Sequence, residues 1–139
     1  MKKTLKVVGA IIENENNEIL CALRSTSMTR PNQWEFPGGK VKKNESVREA
    51  IERELMEELE CAIEFQCIFR DDTHEYDYVI VNLITVKCKI LSCQPNAVEH
   101  SKLLWLKREN LNSLRWAPAD VPSVLNLVAE MAHKTEKNI

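Results

Sequence analysis

Three glutamates, Glu54, Glu57 and Glu58, stand close together in a segment whose apolar residues Val47, Ile51, Leu55 and Leu59 recur at helical spacing. With Glu54 set at zero on a helical wheel, Glu57 falls near about -60° and Glu58 near about +40°, so the three share one side. Val47, Ile51 and Leu55 fall at about 20°, 60° and 100° on the same wheel, which places Glu58 inside the apolar stripe. A carboxylate there is costly unless something positive or hydrogen-bonding compensates it, and neighbouring acids add like-charge repulsion. Such a cluster suits a cation. Oxygen-only ligands fit Mg²⁺, Mn²⁺ or Ca²⁺, whereas zinc favours the sulfur and imidazole that this segment lacks. A hard divalent ion keeps several waters and completes its coordination on phosphates, so the implied chemistry is metal-assisted phosphoanhydride hydrolysis. The competing reading is a solvated acidic face with i,i+4 pairs such as Arg53 and Glu57. The position of Glu58 weighs against it.

The segment 39–61 resembles the Nudix box, G-x5-E-x7-R-E-U-x-E-E-x-G-U with U apolar, matching at Gly39, Glu45, Arg53, Glu54, Leu55, Glu57, Glu58 and Cys61. It departs at Glu60, where the family has glycine to end the helix with positive φ, a conformation that costs another residue about 1 kcal/mol. The departure bears on the helix ending and not on the metal ligands. The resemblance implies that Glu57 and Glu58 ligate metal, normally Mg²⁺ with Mn²⁺ able to substitute. It further implies that Glu54 ligates it or acts as base toward water, and that the Gly38 carbonyl also reaches it. Arg53 would orient the acids, Lys40 would stabilise the departing phosphate, and Arg24 would hold another, unless Arg24 is simply a solvated strand end. Glu45 is either part of this set or a dipole-favoured helix start.

The stretch Trp34-Glu35-Phe36-Pro37-Gly38-Gly39-Lys40 is similar to the lead-in of the MutT-type branch of that family, whose members sanitise or degrade nucleoside triphosphates. Stretches 98–105 and 116–122 resemble its CTP pyrophosphohydrolase members. In such enzymes an acid at the position of Glu99 assists metal or water, although a surface loop acid reads the same way. Asp120 corresponds to the residue that reads the nucleobase, or else it caps the last helix. As an ionised acceptor it suits cytosine and oxidised guanine equally. Trp34, Phe36, Tyr76 and Tyr78 are candidates to stack the base, or core residues; Trp105 is assigned to the core. No histidine is given a role. The resemblance thus implies a Mg²⁺-dependent hydrolase of CTP, dCTP or 8-oxo-dGTP yielding monophosphate and pyrophosphate. A dinucleoside polyphosphate or nucleotide sugar as substrate is the alternative within the class, and a non-catalytic nucleotide-binding module the alternative outside it.

The elements that must position these residues are legible in outline. Residues 5–13 and 18–24 read as a hairpin across Asn14-Glu15-Asn16-Asn17, and 34–36 as a short extended piece ended by Pro37. A helix is expected over 45–59. Residues 63–71 and 78–90 read as antiparallel strands joined across Asp72-Thr73-His74-Glu75, and 103–106 as a further strand. A last helix from Asp120 would carry Val121, Val124, Leu125, Val128 and Met131 inward, with a frayed tail from His133. The pattern is α+β, with a mixed sheet between helices, the α/β/α sandwich that the Nudix resemblance also implies.

Composition sets the outer limits. The 139 residues are 44% hydrophobic and 29% charged, consistent with a single domain over 1–139. A formal net charge of -2 offers no broad basic surface for long nucleic acid, so a small nucleotide is the expected partner. No apolar run approaches the ~20 residues of a membrane-spanning helix, and the lysine-rich start reads as a first strand, not a signal peptide. The five cysteines show no C-x-x-C pair and are expected to be buried and reduced, as in a cytoplasmic protein. Whether the chain is a monomer or a homodimer stays open.

Overall fold

Strand β1 (Lys3–Ile12), buried on both faces from Val8 onward, feeds two cores. Val8, Ala10 and Ile12 pack with Leu20, with Ala50, Ile51, Leu55 and Leu59 of helix α1 (Val47–Leu59), and with Ile84, Val86 and Cys88 of β6 (Val79–Ile90). Ile11 points the other way, onto Ile19, Cys21, Phe36, Trp116 and, from α2 (Val121–Lys137), Val124 and Leu127. Successive side chains of a strand face opposite sides, so a strand between two helical layers is apolar at every position.

The computed structural model describes residues 1–91 and 94–137, with side chains as far as 130. The remaining strands are β2 (Glu18–Leu23), β3 (Trp34–Glu35), β4 (Gly38–Lys40), β5 (Ile63–Glu75) and β7 (Lys102–Lys107). One sheet has the order β4-β1-β6-β5, with β1 and β6 parallel and the outer pairs antiparallel. The other is the antiparallel β3-β2-β7. A mixed sheet with a helix on each face is the α+β architecture expected. Among the described residues no helix is long and apolar enough to cross a membrane.

Helix α1 starts at a capping box: the Ser46 hydroxyl accepts from the Glu49 N–H at 3.1 Å and the Glu49 carboxylate from the Ser46 N–H at 3.0 Å. It ends where the family glycine would end it, because Glu60 adopts the left-handed conformation (φ 57°, ψ 35°) and its N–H bonds back to the Met56 carbonyl at 3.1 Å. The side chain recovers little there, a 3.4 Å bond from the Asn96 amide. Glu60→Gly is therefore expected to stabilise the protein by about 1 kcal/mol, raising the melting temperature by roughly 2–5 °C in a scanning calorimeter. A lower melting temperature would mean that the Asn96 contact outweighs the backbone strain.

Four expectations are corrected. The first two strands form no ladder with each other: a Glu13–Ile19 bridge and hydrogen bonds between Asn14 and Glu18 close the turn, and the strands then part into separate sheets. The cause is β1, which takes β6 as a parallel neighbour along its whole length. Strand β5 continues through Asp72, Thr73, His74 and Glu75, and the reversal falls at 76–78, where the Tyr76 N–H bonds to the Val79 carbonyl at 2.8 Å. Polar residues on an open sheet face look like a turn in one dimension. In α2 the inward stripe is Ser123, Val124, Leu127 and Val128, whereas Val121 and Leu125 are exposed. The buried 2.7 Å bond between the Ser123 and Thr85 hydroxyls accompanies this rotation; the helix extends to Lys137, and the Met131 side chain lies outside those described. Finally, Cys21, Cys67 and Cys88 are free, Cys67 exposed, but Cys61 is disulfide-bonded. Sequence spacing says nothing about which thiols the fold brings together; Cys93 lies outside the described residues.

Candidate active site

The two glycines ahead of α1 bring backbone against its acids. Gly38 and Gly39 pair with Gly9 and Val8 of β1, and a Cβ on Gly38 would stand 1.9 Å from the Val8 carbonyl oxygen. A Cβ on Gly39 would stand 2.4 Å from the Glu54 carboxylate. The missing side chains let strand and helix approach closely. The Gly38 N–H donates to Glu58 Oε2 at 3.1 Å.

Glu58 is 7% exposed. Its pKa is pushed up to about 9, first by burial and then by the carboxylates of Glu54, Glu35 and Glu99, with the Gly38 N–H opposing. The wheel argument thus holds in three dimensions. The loop that carries Glu99 is held by the helix end itself: the N–H groups of Asn96 and Val98 bond to the carbonyls of Leu59 and Glu58 at 3.1 and 3.2 Å. Carbonyls with no partner inside the helix recruit that loop.

Arg53 organises the remaining acids. Its guanidinium donates to Glu45 from Nε and Nη2 at 2.7 and 2.9 Å, from Nη1 to Glu54 at 2.8 Å and Glu57 at 3.2 Å, and from Nη2 to the Lys40 carbonyl at 2.9 Å. Glu45, just ahead of the Ser46 cap, is held down to about 2 by the Arg53 hydrogen bonds and then by the Lys42 N–H. It braces Arg53 from outside the helix. Among the described residues no three His, Cys, Asp or Glu side chains already converge on an ion position. Glu54 and Glu57 face Arg53, and the Glu57 side chain is 52% exposed. The donor set nonetheless fits a hard divalent cation: oxygen ligands only, a buried carboxyl ringed by like charge, and a cleft alongside.

That cleft, of about 720 Å³, is lined by Gly38, Gly39, Lys40, Glu58 and Glu99. Its lining also includes an apolar cluster, Val7, Val79, Val81 and Leu83, with Tyr76, Ala119 and Asp120. Asp120 is 6% exposed, and its carboxylate accepts from the Phe36 N–H at 3.0 Å, across to the segment after β3. This corrects two expectations. The carboxylate bond runs to Phe36, not to a helix cap, and burial, followed by the Glu35 charge, raises its pKa well above the carboxylate range. Burial thus favours the protonated form, which can donate as well as accept.

Arg24 lines the cleft, but its Nε and Nη2 donate to the Thr29 carbonyl and hydroxyl at 2.6 and 3.1 Å, and Nη1 donates to Glu35 at 2.7 Å. It shapes the wall. Lys40 is exposed and lines the cleft. Among the stacking candidates, Phe36 is 3% exposed and packs on Trp116 with ring centroids 4.8 Å apart. Trp34 pairs with Leu23, packs in the same core and does not line the cleft. Tyr78 is 93% exposed at the mouth. In the strand-like run Trp34-Glu35-Phe36 the two aromatics pack in one core, while Glu35 and Phe36 both also line the cleft.

Glu35 and His100 went unassigned in the sequence. Glu35 holds Arg24 with one oxygen and His100 Nε2 with the other at 2.7 Å, while the buried His100 Nδ1 has no partner among the described residues. The alternation of Trp34-Glu35-Phe36 was the available signal for Glu35; for His100 there was only its adjacency to Glu99.

The NUDIX domain family model matches residues 3–127. The CTP pyrophosphohydrolase of Escherichia coli strain K12 is 35% identical over 120 residues, covering 86% of this chain and 88% of that protein. The 8-oxo-dGTP diphosphatase of the same organism is 30% identical over 125 residues, covering 90% and 97%. A solution structure titled as DNA mismatch repair protein MutT, family Nudix hydrolase, from methicillin-resistant Staphylococcus aureus 252 superposes with a TM-score of 0.76 at 46% identity, covering 94% and 99%. With its box acids gathered on one helix beside a nucleotide-sized cleft, the chain belongs to the Nudix family and is a Nudix hydrolase.

Proposed function

We propose that this chain hydrolyses a cytosine or oxidised-guanine nucleoside triphosphate to the monophosphate and pyrophosphate, with Mg²⁺ as the working ion. The observation that carries this reading is Glu58, a buried carboxyl surrounded by the charges of Glu54, Glu35 and Glu99 in a cleft that is also lined by apolar side chains and by Asp120. The names of the two Escherichia coli relatives support the substrate class.

Glu57, Glu58, Glu54, Glu99 and the Gly38 carbonyl would hold the ion, which when bound supplies Lewis acidity toward phosphate oxygens and water. The other groups divide the work. Glu54 takes the proton of the attacking water; water oxygen bonds to phosphorus as the anhydride P–O bond breaks and pyrophosphate leaves. Lys40 bears charge on the departing group, and Arg53 keeps the acids aligned. Asp120, whose burial favours the form that can donate as well as accept, reads the base edge.

The test is pyrophosphate release from CTP, dCTP, dGTP, 8-oxo-dGTP, ATP and nucleotide sugars, with Mg²⁺ and with chelator. Metal-dependent release is expected, fastest with a cytosine or oxidised-guanine triphosphate. Release from none of the triphosphates would sink the proposal, and turnover of nucleotide sugars alone would move the assignment within the family.

A further inference from the structure

The loop 25–33, which has no counterpart in the box argument, places a cation over an aromatic ring in the wall of the cleft. Arg24 anchors it: besides the two bonds to Thr29, its carbonyl accepts from the Asn32 N–H at 3.1 Å. Arg30 and Asn32 both have left-handed backbones (φ 51° and 63°), a conformation that non-glycine residues keep only where the surroundings impose it. The result is that the Arg30 guanidinium carbon lies 4.0 Å from the centroid of the Tyr76 ring. That ring is itself fixed. Its hydroxyl oxygen accepts from the Ala119 N–H at 3.0 Å, beside Asp120, and His74 packs edge-on with centroids 4.5 Å apart.

Arg30 is the arginine of the cleft without a carboxylate partner among the described residues; Arg24 has Glu35. Its Nε is buried and bonds to nothing described. That nitrogen is closed to a ligand, but Arg30 is half-buried and lines the cleft, and its terminal nitrogens have no hydrogen-bond partner among the described residues, so they can meet an acceptor there. A guanidinium only donates, and it donates in its own plane while stacking through its face. It stacks on Tyr76, which packs with Val79, Val81 and Leu83 in the wall of the cleft, so a base seated against that apolar cluster would lie within its reach.

We propose that Arg30, held on Tyr76, is a specificity-determining residue that donates to an exocyclic carbonyl oxygen of the base. It thereby favours cytosine-, uracil- and guanine-type bases over adenine, which has none. The inference rests on the nucleotide-hydrolase reading above. Its test is calorimetric binding of CMP, GMP and AMP to the wild type, Arg30→Ala, Arg30→Lys and Arg30→Gly, the last accepting the left-handed backbone without strain. CMP and GMP are expected to bind the wild type more tightly than AMP. Loss of the guanidinium should weaken both about tenfold while AMP changes less than about twofold, with lysine restoring part of the difference. A wild type without base preference, an unchanged preference in Arg30→Ala and Arg30→Gly, or an equal loss for all three nucleotides would overturn it, the last marking a phosphate contact. Pyrophosphate release from CTP and ATP by the same proteins separates the two readings. Base-selective binding without any release would remove the proposed reaction and leave the role of Arg30 standing.

Discussion

Glu58→Gln is expected to lower metal-dependent pyrophosphate release roughly 10²–10⁴-fold while the protein stays folded. The amide preserves volume, and its oxygen can still accept from the Gly38 N–H, but it cannot carry the charge that holds a cation. In chelator the same change should stabilise the protein at neutral and alkaline pH. The Glu58 carboxyl ionises near 4.5 in the unfolded chain and near about 9 in the fold. Between those values the folded protein keeps a proton that the unfolded one has lost. Stability from this group is therefore complete below about pH 4.5, declines as pH rises, and is gone above about 9. By pH 7 the loss is roughly 3 kcal/mol, and the glutamine variant has no such slope. Millimolar Mg²⁺ should restore stability to the wild type, by about 3 kcal/mol at a hundredfold excess over Kd, and much less to the variant. Melting temperatures from pH 5 to 9, with chelator and with Mg²⁺, check each part. A flat wild-type profile would show that Glu58 is not the stressed carboxyl, and a variant retaining its rate within a few-fold would remove Glu58 from the machinery.

The second large effect separates two adjacent glycines. Gly39→Ala is expected to lower the rate about 10²-fold with the melting temperature nearly unchanged, since the three atoms nearest to its Cβ would all belong to the Glu54 carboxylate, from 2.4 Å. That group lies at the end of a flexible side chain and can swing aside, but it then leaves both Arg53 and its working position. Gly38→Ala is expected to fail differently. Its Cβ would lie 1.9 Å from the Val8 carbonyl oxygen and 2.9 Å from the Gly9 Cα, backbone atoms of the neighbouring strand, so the β1–β4 pairing must break. A loss of about 3–5 kcal/mol is expected. Rates measured beside thermal melts distinguish the pair; a Gly39→Ala enzyme at wild-type rate would mean that Glu54 needs no fixed position.

Much of this was legible along one dimension because the box lies on one helix. Regular geometry turns the spacing of Val47, Ile51, Leu55, Glu54 and Glu58 into positions on a cylinder, so the buried carboxyl followed from the sequence without any tertiary contact. The capping box at Ser46 and the resemblance at 39–61 are local in the same sense, and the mixed sheet between helices followed from the order of elements. What lay beyond reach depends on residues far apart in the chain. The second sheet, the parallel pairing of β1 with β6, the extension of β5 through its polar end and the rotation of α2 are set by long-range packing that periodicity does not encode. The same holds for the rest of the site. Sequence alone determined the residue types and the helical face that present the acids; only the tertiary structure decided that Glu35 lies between Arg24 and His100, that the Asp120 carboxyl is buried with its pKa raised and bonded to Phe36, and that Arg30 reaches Tyr76, because burial and charge proximity are properties of the folded arrangement and not of any segment within it.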